Sequence, residues 1–191
     1  MWGTPSVDRP LINWAELAQQ AGIVTHYTPS GGTSTNQGSD EARRALEVLI
    51  GDENIRHGVE LWLAGRAGEQ AAASAAWSVL MYIRSWKASE MAYAAYRTFK
   101  DSGDADQAAL AILFISDICH PGALKWVDEF LDDAPVADAA LRLVDQALFH
   151  GVIYPDDDRV EPWLSRAELS SDPYLLEAAQ RIRASMINPA S

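Results

Sequence analysis

Three side chains that can bind a metal or act as a nucleophile stand close together at Asp117, Cys119 and His120. A thiol beside an imidazole is a common catalytic pair, and both groups are also zinc ligands. On a helix, however, adjacent side chains diverge by about 100° and cannot easily share one ligand. We therefore expect Cys119 to pack as a small apolar side chain and His120 to cap the chain before Pro121.

A second candidate is the pair His57 and Glu60, which resembles half of a zinc-binding helix. It lacks a second histidine one turn further on and a third ligand. The other histidines, His26 and His150, stand alone in the sequence. We therefore expect no metal, no cofactor and no catalytic site, and the chain is predicted not to be an enzyme.

Three consecutive acids, Asp156, Asp157 and Asp158, precede a predicted helix. One acid would satisfy free N–H groups and the positive dipole at the helix N-terminus. Three in succession repel one another, and the ligand spacing of a calcium loop is missing. Either they serve capping alone, or they form a patch that faces a cationic partner.

Further acids lie on the outward side of a predicted helix over 121–131 and on its neighbours. A solvated helix face is the ordinary explanation of such charges. Few cations stand between them in the sequence, so stacked helices would align the acids in a band that attracts a basic partner. The residues of this predicted acidic band are Asp101, Asp104, Asp106, Asp128, Glu129, Asp132, Asp133 and Asp138.

Three other residues are candidate interface anchors. Tyr93 and Arg97 lie one turn apart on the polar side of a predicted helix, and Trp86 ends the preceding predicted helix. Aromatic and arginine side chains outside a core are typical of protein interfaces. The alternative for Trp86 is that it seals a junction between two helices.

Glycine and proline breaks divide the chain into helices. A short amphipathic helix precedes Gly22, and residues 28–39 are expected to be a flexible loop rich in Gly, Ser and Thr. No stretch alternates as a strand does, so we predict no sheet. The predicted domains are 1–39 and 40–191, and the predicted helices of the second domain cover 40–50, 52–65, 69–86, 89–100, 105–118, 121–131, 135–150, 157–168 and 173–187.

The first helix of the second domain should follow Ser39 as N-cap. Its apolar residues predict which side faces the core. Those expected to face inward are Ala42, Ala45, Leu46 and Leu49.

One pattern occurs twice, at 133–143 and 172–182: Asp, a branched aliphatic residue, an acid, two alanines, Arg and another aliphatic residue. Tryptophan-centred clusters recur at a similar spacing in the helices that we take as the second of each pair, at Trp62, Trp126 and Trp163. Such recurrence predicts a helical repeat of roughly 30–40 residues. The expected fold is all-α, a right-handed α-solenoid of antiparallel helix pairs.

These two segments resemble the first-helix pattern of HEAT-repeat proteins, with Arg142 and Arg181 as the recurrent basic residue. The resemblance is specific over 100–187 and looser over 40–100. It implies a curved solenoid whose second helices line the concave face, and a protein-binding role. As a small, acidic helical-repeat chain, the sequence also resembles in type the immunity proteins that bacteria keep against polymorphic or contact-delivered toxins.

The charge distribution narrows the class of partner. The net charge is −12, and residues 101–191 carry 17 acids against 6 Lys and Arg. This half repels phosphate backbones and anionic membranes, so we expect no nucleic-acid or membrane partner. A single cysteine and no apolar leader indicate a cytoplasmic protein.

We therefore expect a non-enzymatic immunity protein that occludes the active site of a basic toxin, such as a nuclease, acting as a monomer or as a heterodimer with that toxin. The alternative is a HEAT-repeat scaffold or adaptor in a cytosolic complex. A helical-repeat DNA glycosylase is disfavoured because the chain has no Lys/Arg stripe and no convergent acid–base pair.

Overall fold

A computed structural model describes residues 11–27, 33–36, 38–65 and 68–187. It confirms the all-α prediction, and most of the predicted helices form within a few residues of their expected bounds. The helices are α1 (Trp14–Gln20), α2 (Asp40–Ile50), α3 (Asp52–Ala64), α4 (Gln70–Ile83), α5 (Trp86–Ser102), α6 (Ala105–Ile118), α7 (Val127–Leu131), α8 (Ala137–Phe149), α9 (Val160–Glu168) and α10 (Pro173–Ile187).

Proline explains why two helices begin late. Short 3-10 turns at Pro121–Trp126 and Ala134–Val136 precede α7 and α8. A proline near the start of each turn has no N–H to donate, and its ring fixes the local backbone. The regular α-helical bonds therefore begin only after these turns.

The prediction of no sheet is wrong. Strands β1 (Thr25–Tyr27) and β2 (Thr33–Thr35) pair antiparallel, with Thr25 opposite Thr35. The side chain of Asn36 closes the base, because its Oδ1 accepts from the Val24 N–H at 2.8 Å. Three-residue strands are too short to show an alternating pattern in the sequence.

The flexible-loop prediction for 28–39 therefore fails at 33–35, where β2 lies, while 28–32 and 37 lie outside the described residues. The hairpin also contacts the helices. Strand β2 packs on α4, and the hydroxyls of Thr25 and Ser78 lie 2.8 Å apart.

The helices pack in consecutive pairs and in two series. The consecutive pairs are α3 with α4, α5 with α6, α7 with α8, and α9 with α10. In one series α4, α6, α8 and α10 contact each other in turn; in the other, α3 contacts α5, α5 contacts the 3-10 turn before α7, and α7 contacts α9. Apolar side chains between the series form the core, with Tyr96, Phe114 and Phe130 fully buried.

This packing corrects the predicted pairing. The helix over 121–131 was expected to follow 105–118 as its partner, whereas α7 packs along α8. An aromatic contact fixes the start of α7 against α5. Trp126, just before α7, stacks on Tyr93 of α5 with ring centroids 4.2 Å apart. The tryptophan-bearing helices α3 and α9 are thus the first of their packed pairs, and the repeated segments begin the second helices, α8 and α10.

The predicted inward face of α2 is confirmed at Leu46, which is partly buried against the core, and is wrong at the other three residues. Leu49 is 70% exposed and Val48 is 80% exposed, and Ala42 and Ala45 are exposed as well. The helix instead turns Ile50 and the polar Glu47 towards the body, where Glu47 Oε1 accepts from the Ser85 hydroxyl at 2.7 Å. Apolar periodicity alone cannot reveal that a polar contact fixes the orientation.

None of the described helices combines the length and the apolar character that crossing a bilayer requires.

Candidate functional site

The acids of α7 and the turn that follows it reach in two directions. Glu129 and Asp133 contact α5, whereas Asp128 and Asp132 contact α9. This alternation follows from helix geometry, because residues four apart share a face and the intervening ones do not. These four residues of the predicted acidic band are therefore bonded to neighbouring helices.

On the α5 side, Tyr93 and Arg97 share the carboxylate of Glu129. The Tyr93 hydroxyl donates to Oε2 at 2.5 Å, and Arg97 Nη1 donates to Oε1 at 3.1 Å. Burial, together with the bond to Glu129, raises the pKa of Tyr93. The predicted anchors Tyr93 and Arg97 are thus brought together with a predicted acid, as an internal link.

One turn further on, Asp133 makes the corresponding link. It accepts from the hydroxyl of the buried Tyr96 at 2.9 Å and pairs with Lys100 at 3.2 Å. Burial raises the pKa of Tyr96 to about 12, so this hydroxyl remains a donor at neutral pH. The Asp133 side chain is only 15% exposed and has little surface to offer a partner.

On the α9 side, Trp163 Nε1 donates to Asp128 Oδ1 at 3.1 Å. Arg166 pairs with Asp128 at 3.6 Å and also with Asp132. Few cations stand between the band acids in the sequence, yet the packing of the helices brings three cations to them. Arg97, Lys100 and Arg166 come from helices that are distant in sequence, and they neutralise these acids.

Trp86 belongs to an aromatic stack at the start of α5. Its ring lies 5.2 Å from Trp126, which in turn stacks on Tyr93. Lys125 covers the outer side of Trp86, with Nζ 4.7 Å from the ring centroid. This arrangement matches the alternative in which Trp86 seals a helix junction.

Helix α9 begins at Val160 and has no side-chain cap at its N-cap residue, Arg159. Asp157 nevertheless satisfies one backbone N–H just before the helix, because its Oδ1 accepts from the Arg159 N–H at 3.1 Å. Asp157 also binds the Arg159 side chain, with Nε 2.9 Å from Oδ1 and Nη2 2.8 Å from Oδ2. These bonds lower the pKa of Asp157 to about 2. Asp156 and Asp158 are exposed, so the partner-facing alternative rests on these two alone.

The structure confirms the expected roles of Cys119 and His120. Cys119 is 2% exposed, and burial raises its pKa to about 12. His120 Nδ1 accepts from the Gly122 N–H at 3.0 Å, and burial lowers its pKa. Asp117 accepts from Trp77 Nε1 and from Arg142 Nη2, each at 3.2 Å. Within the described ranges no cluster of His, Cys, Asp and Glu could hold a metal.

Sequence reasoning missed a groove between α3, α5 and the start of α6. Its volume is about 740 Å³. Glu60 and Glu69 supply carboxylates, Leu63 and Phe99 supply apolar walls, and none of the described lining residues is Lys or Arg. The lining residues are His57, Glu60, Leu61, Leu63, Ala64, Glu69, Ala95, Phe99 and Gln107.

Three further acids of the predicted band lie close in sequence to residues that line this groove. Asp104 caps α6 by accepting from the N–H of Gln107, a lining residue, at 3.1 Å. Asp106 lies in the first turn of α6, and Asp101 lies at the end of α5, two residues after the lining residue Phe99. All three acids are exposed. The only sequence signal for the groove was the pair His57 and Glu60, whose residue types suggested a metal instead.

Comparison with protein-family models, with curated proteins and with solved structures found no match to this chain. The chain is an all-α protein of packed helix pairs, with an acidic groove that has apolar walls.

Proposed function

We propose that this chain is a non-enzymatic protein-binding module, and that its groove between α3 and α5 receives a basic segment of a partner protein. The observation that carries the proposal is the lining of the groove, where the carboxylates of Glu60 and Glu69 stand beside the apolar Leu63 and Phe99. A Lys or Arg side chain offers the matching combination, because its aliphatic stem packs on apolar surface while its charged head meets a carboxylate.

The free charge near the groove supports the same partner chemistry. Glu60 and Asp106 are exposed, and no ion pair joins either of them to a residue that the structure describes. The acids of α7 are already neutralised internally, so these two contribute more to attraction. Together with the net charge of −12, they would steer a basic protein to this face and raise its association rate.

We propose a basic toxin domain as the partner and an immunity protein as the role. To occlude the active cleft of a toxin, the chain needs only to bind it tightly and does not need to catalyse a reaction. A nuclease is a suitable target because its cleft must be cationic in order to hold phosphates. In this proposal the protein acts in the cytoplasm, alone or as a heterodimer with the toxin.

The proposed scaffold is a right-handed α-solenoid of HEAT-like pairs. The links between α5, α7 and α9 support it, because their partners lie 32 to 37 residues apart in sequence. That separation agrees with a repeat of roughly 30–40 residues. A scaffold of this kind holds α3 and α5 side by side and so forms the groove.

One observation favours the alternative role of a scaffold or adaptor. On α2 the apolar residues Ala42, Ala45, Val48 and Leu49 are exposed together, and such a stripe is unusual on a surface without a partner. An adaptor would use this face and the groove at once, whereas an immunity protein needs only one partner.

The proposal is tested by growth rescue. The chain is co-expressed with each basic C-terminal toxin domain of a secreted protein that is encoded beside its gene. Relief of toxicity is expected for one of them, and failure with all of them contradicts the immunity role.

The groove is tested in the same assay with Glu60→Lys. Glu177→Lys is the matched control, because Glu177 is also an exposed helical acid without a described ion pair. Rescue should be weakened by the first variant and kept by the second. Equal rescue by both would remove the groove from the interface.

A further inference from the structure

A second cavity lies where three helices of one series end. Its volume is about 300 Å³, close to the lower size of small-molecule sites. Arg84, Cys119 and His150 terminate α4, α6 and α8, and all three line it. Strand β2 contributes Ser34 and Thr35, so the hairpin that the sequence did not predict forms one wall.

The first sign of a ligand is Arg43, which enters this cavity from α2. Its side chain is 17% exposed, and its Nε is buried without a hydrogen-bond acceptor among the described residues. Its ion pair with Asp40 is long, at 3.6 Å, and the Asp40 side chain is 76% exposed. A buried N–H that lacks an acceptor is unfavourable, so the site has room for an oxygen ligand.

The second sign is Arg84, which ends α4 with φ +49°. This left-handed conformation suits glycine, and the chain does use Gly65 and Gly103 at the ends of α3 and α5. Arginine has a Cβ and is less stable there. No carboxylate within the described part of the chain pairs with Arg84. Its guanidinium group, which lines the cavity, is therefore available to a ligand.

The negative groups near the cavity are already engaged. Asp117 accepts from Trp77 and Arg142. Carbonyls near the ends of α4 and α8 accept bonds from following N–H groups, such as Ser85 N to Leu80 O at 3.2 Å and Val152 N to Ala147 O at 2.8 Å. These bonds reduce the negative potential of the helix ends. The lining thus holds two guanidinium groups, those of Arg43 and Arg84, and one carboxylate, that of Asp117.

We propose that this cavity binds a small oxyanion, the phosphate or carboxylate group of a free small molecule. Arg43 and Arg84 supply the charged donors, since a guanidinium fork matches both groups. The hydroxyls of Ser34 and Thr35 supply neutral donors on the facing wall. The site lies apart from the groove, so it stands whether or not the proposed partner is correct.

Calorimetry and thermal unfolding with inorganic phosphate and with succinate test the proposal and separate the two oxyanions. Sodium chloride at equal ionic strength is the reference. At least one of the two should bind saturably and raise the melting temperature beyond the chloride effect. Arg84→Gln should weaken that binding at least tenfold. The control Arg44→Gln, next to Arg43 on α2 but 70% exposed and paired with Glu41, should leave it unchanged.

Arg84→Gly distinguishes lost binding from lost folding. Glycine suits the left-handed backbone, so this variant should melt at the same temperature as the wild type or higher when no ligand is present, yet lose the response to the oxyanion. The proposal is overturned if neither phosphate nor succinate binds the wild type saturably. It is equally overturned if Arg84→Gln and Arg84→Gly both keep wild-type affinity.

Discussion

Removal of the Asp133 carboxylate tests whether the acids near α7 are links between helices or a docking patch. In Asp133→Ala the hydroxyl of the buried Tyr96 loses its charged acceptor, and Lys100 loses its ion pair. A hydrogen bond to a charged group contributes about 1.5–3 kcal/mol, and a partly exposed ion pair about 0–1 kcal/mol. We therefore expect the free energy of unfolding to fall by about 2–3 kcal/mol.

For a chain of this length that loss corresponds to a decrease in melting temperature of roughly 4–12 °C. Urea unfolding followed by circular dichroism measures it. Asp133→Asn keeps a neutral acceptor for Tyr96 but loses the charge, so it should lose less than Asp133→Ala, about 1–2 kcal/mol. Glu177→Ala, at an exposed position, should stay within about 0.5 kcal/mol of the wild type. The account of Asp133 as a link is refuted if Asp133→Ala is as stable as Glu177→Ala.

Three further predictions concern the core and its pH dependence. Cys119 is buried and its pKa is raised to about 12, so iodoacetamide at pH 8 should modify it only after unfolding; rapid labelling of the folded protein would contradict its burial. Burial lowers the pKa of His120 below its usual 6.5; its stabilising contribution is therefore present above pH 6.5 and lost as the pH falls through the folded-state pKa. His120→Asn, which keeps a neutral cap for Gly122, should lose less stability between pH 7 and pH 5 than the wild type, and an equal loss would show that His120 is not responsible. Alanine at Gly58 would place its Cβ 2.8 Å from the Trp14 ring. Gly58→Ala should therefore lower the free energy of unfolding by about 1 kcal/mol, because overpacking outweighs the gain in helix propensity. A more stable variant would contradict this prediction.

The helices could be predicted because their signals are local. Ser39 caps α2 in the structure, as its position in the sequence predicts. Glycine ends α3 and α5, again at the expected breaks. A cap or a break acts over one helical turn, so it can be recognised without knowledge of the fold.

The candidate site could not be predicted in the same way. Counting charges along the chain found the acids of α7 but not their partners, because Arg97 and Arg166 lie more than 30 residues away and meet them only after packing. The groove likewise depends on how α3 lies beside α5. Neither helix alone shows it, and Phe99, which lines the groove, is also partly buried against the core.

The most direct test of the central claim uses the toxin domain whose toxicity the chain relieves. Calorimetry measures the affinity of this domain for the wild-type chain, for Glu60→Lys and for Glu177→Lys. If the domain docks through the groove, a positive charge at Glu60 should weaken binding at least tenfold, about 1.4 kcal/mol, while Glu177→Lys changes it little. Equal affinities for the two variants would contradict docking in this groove.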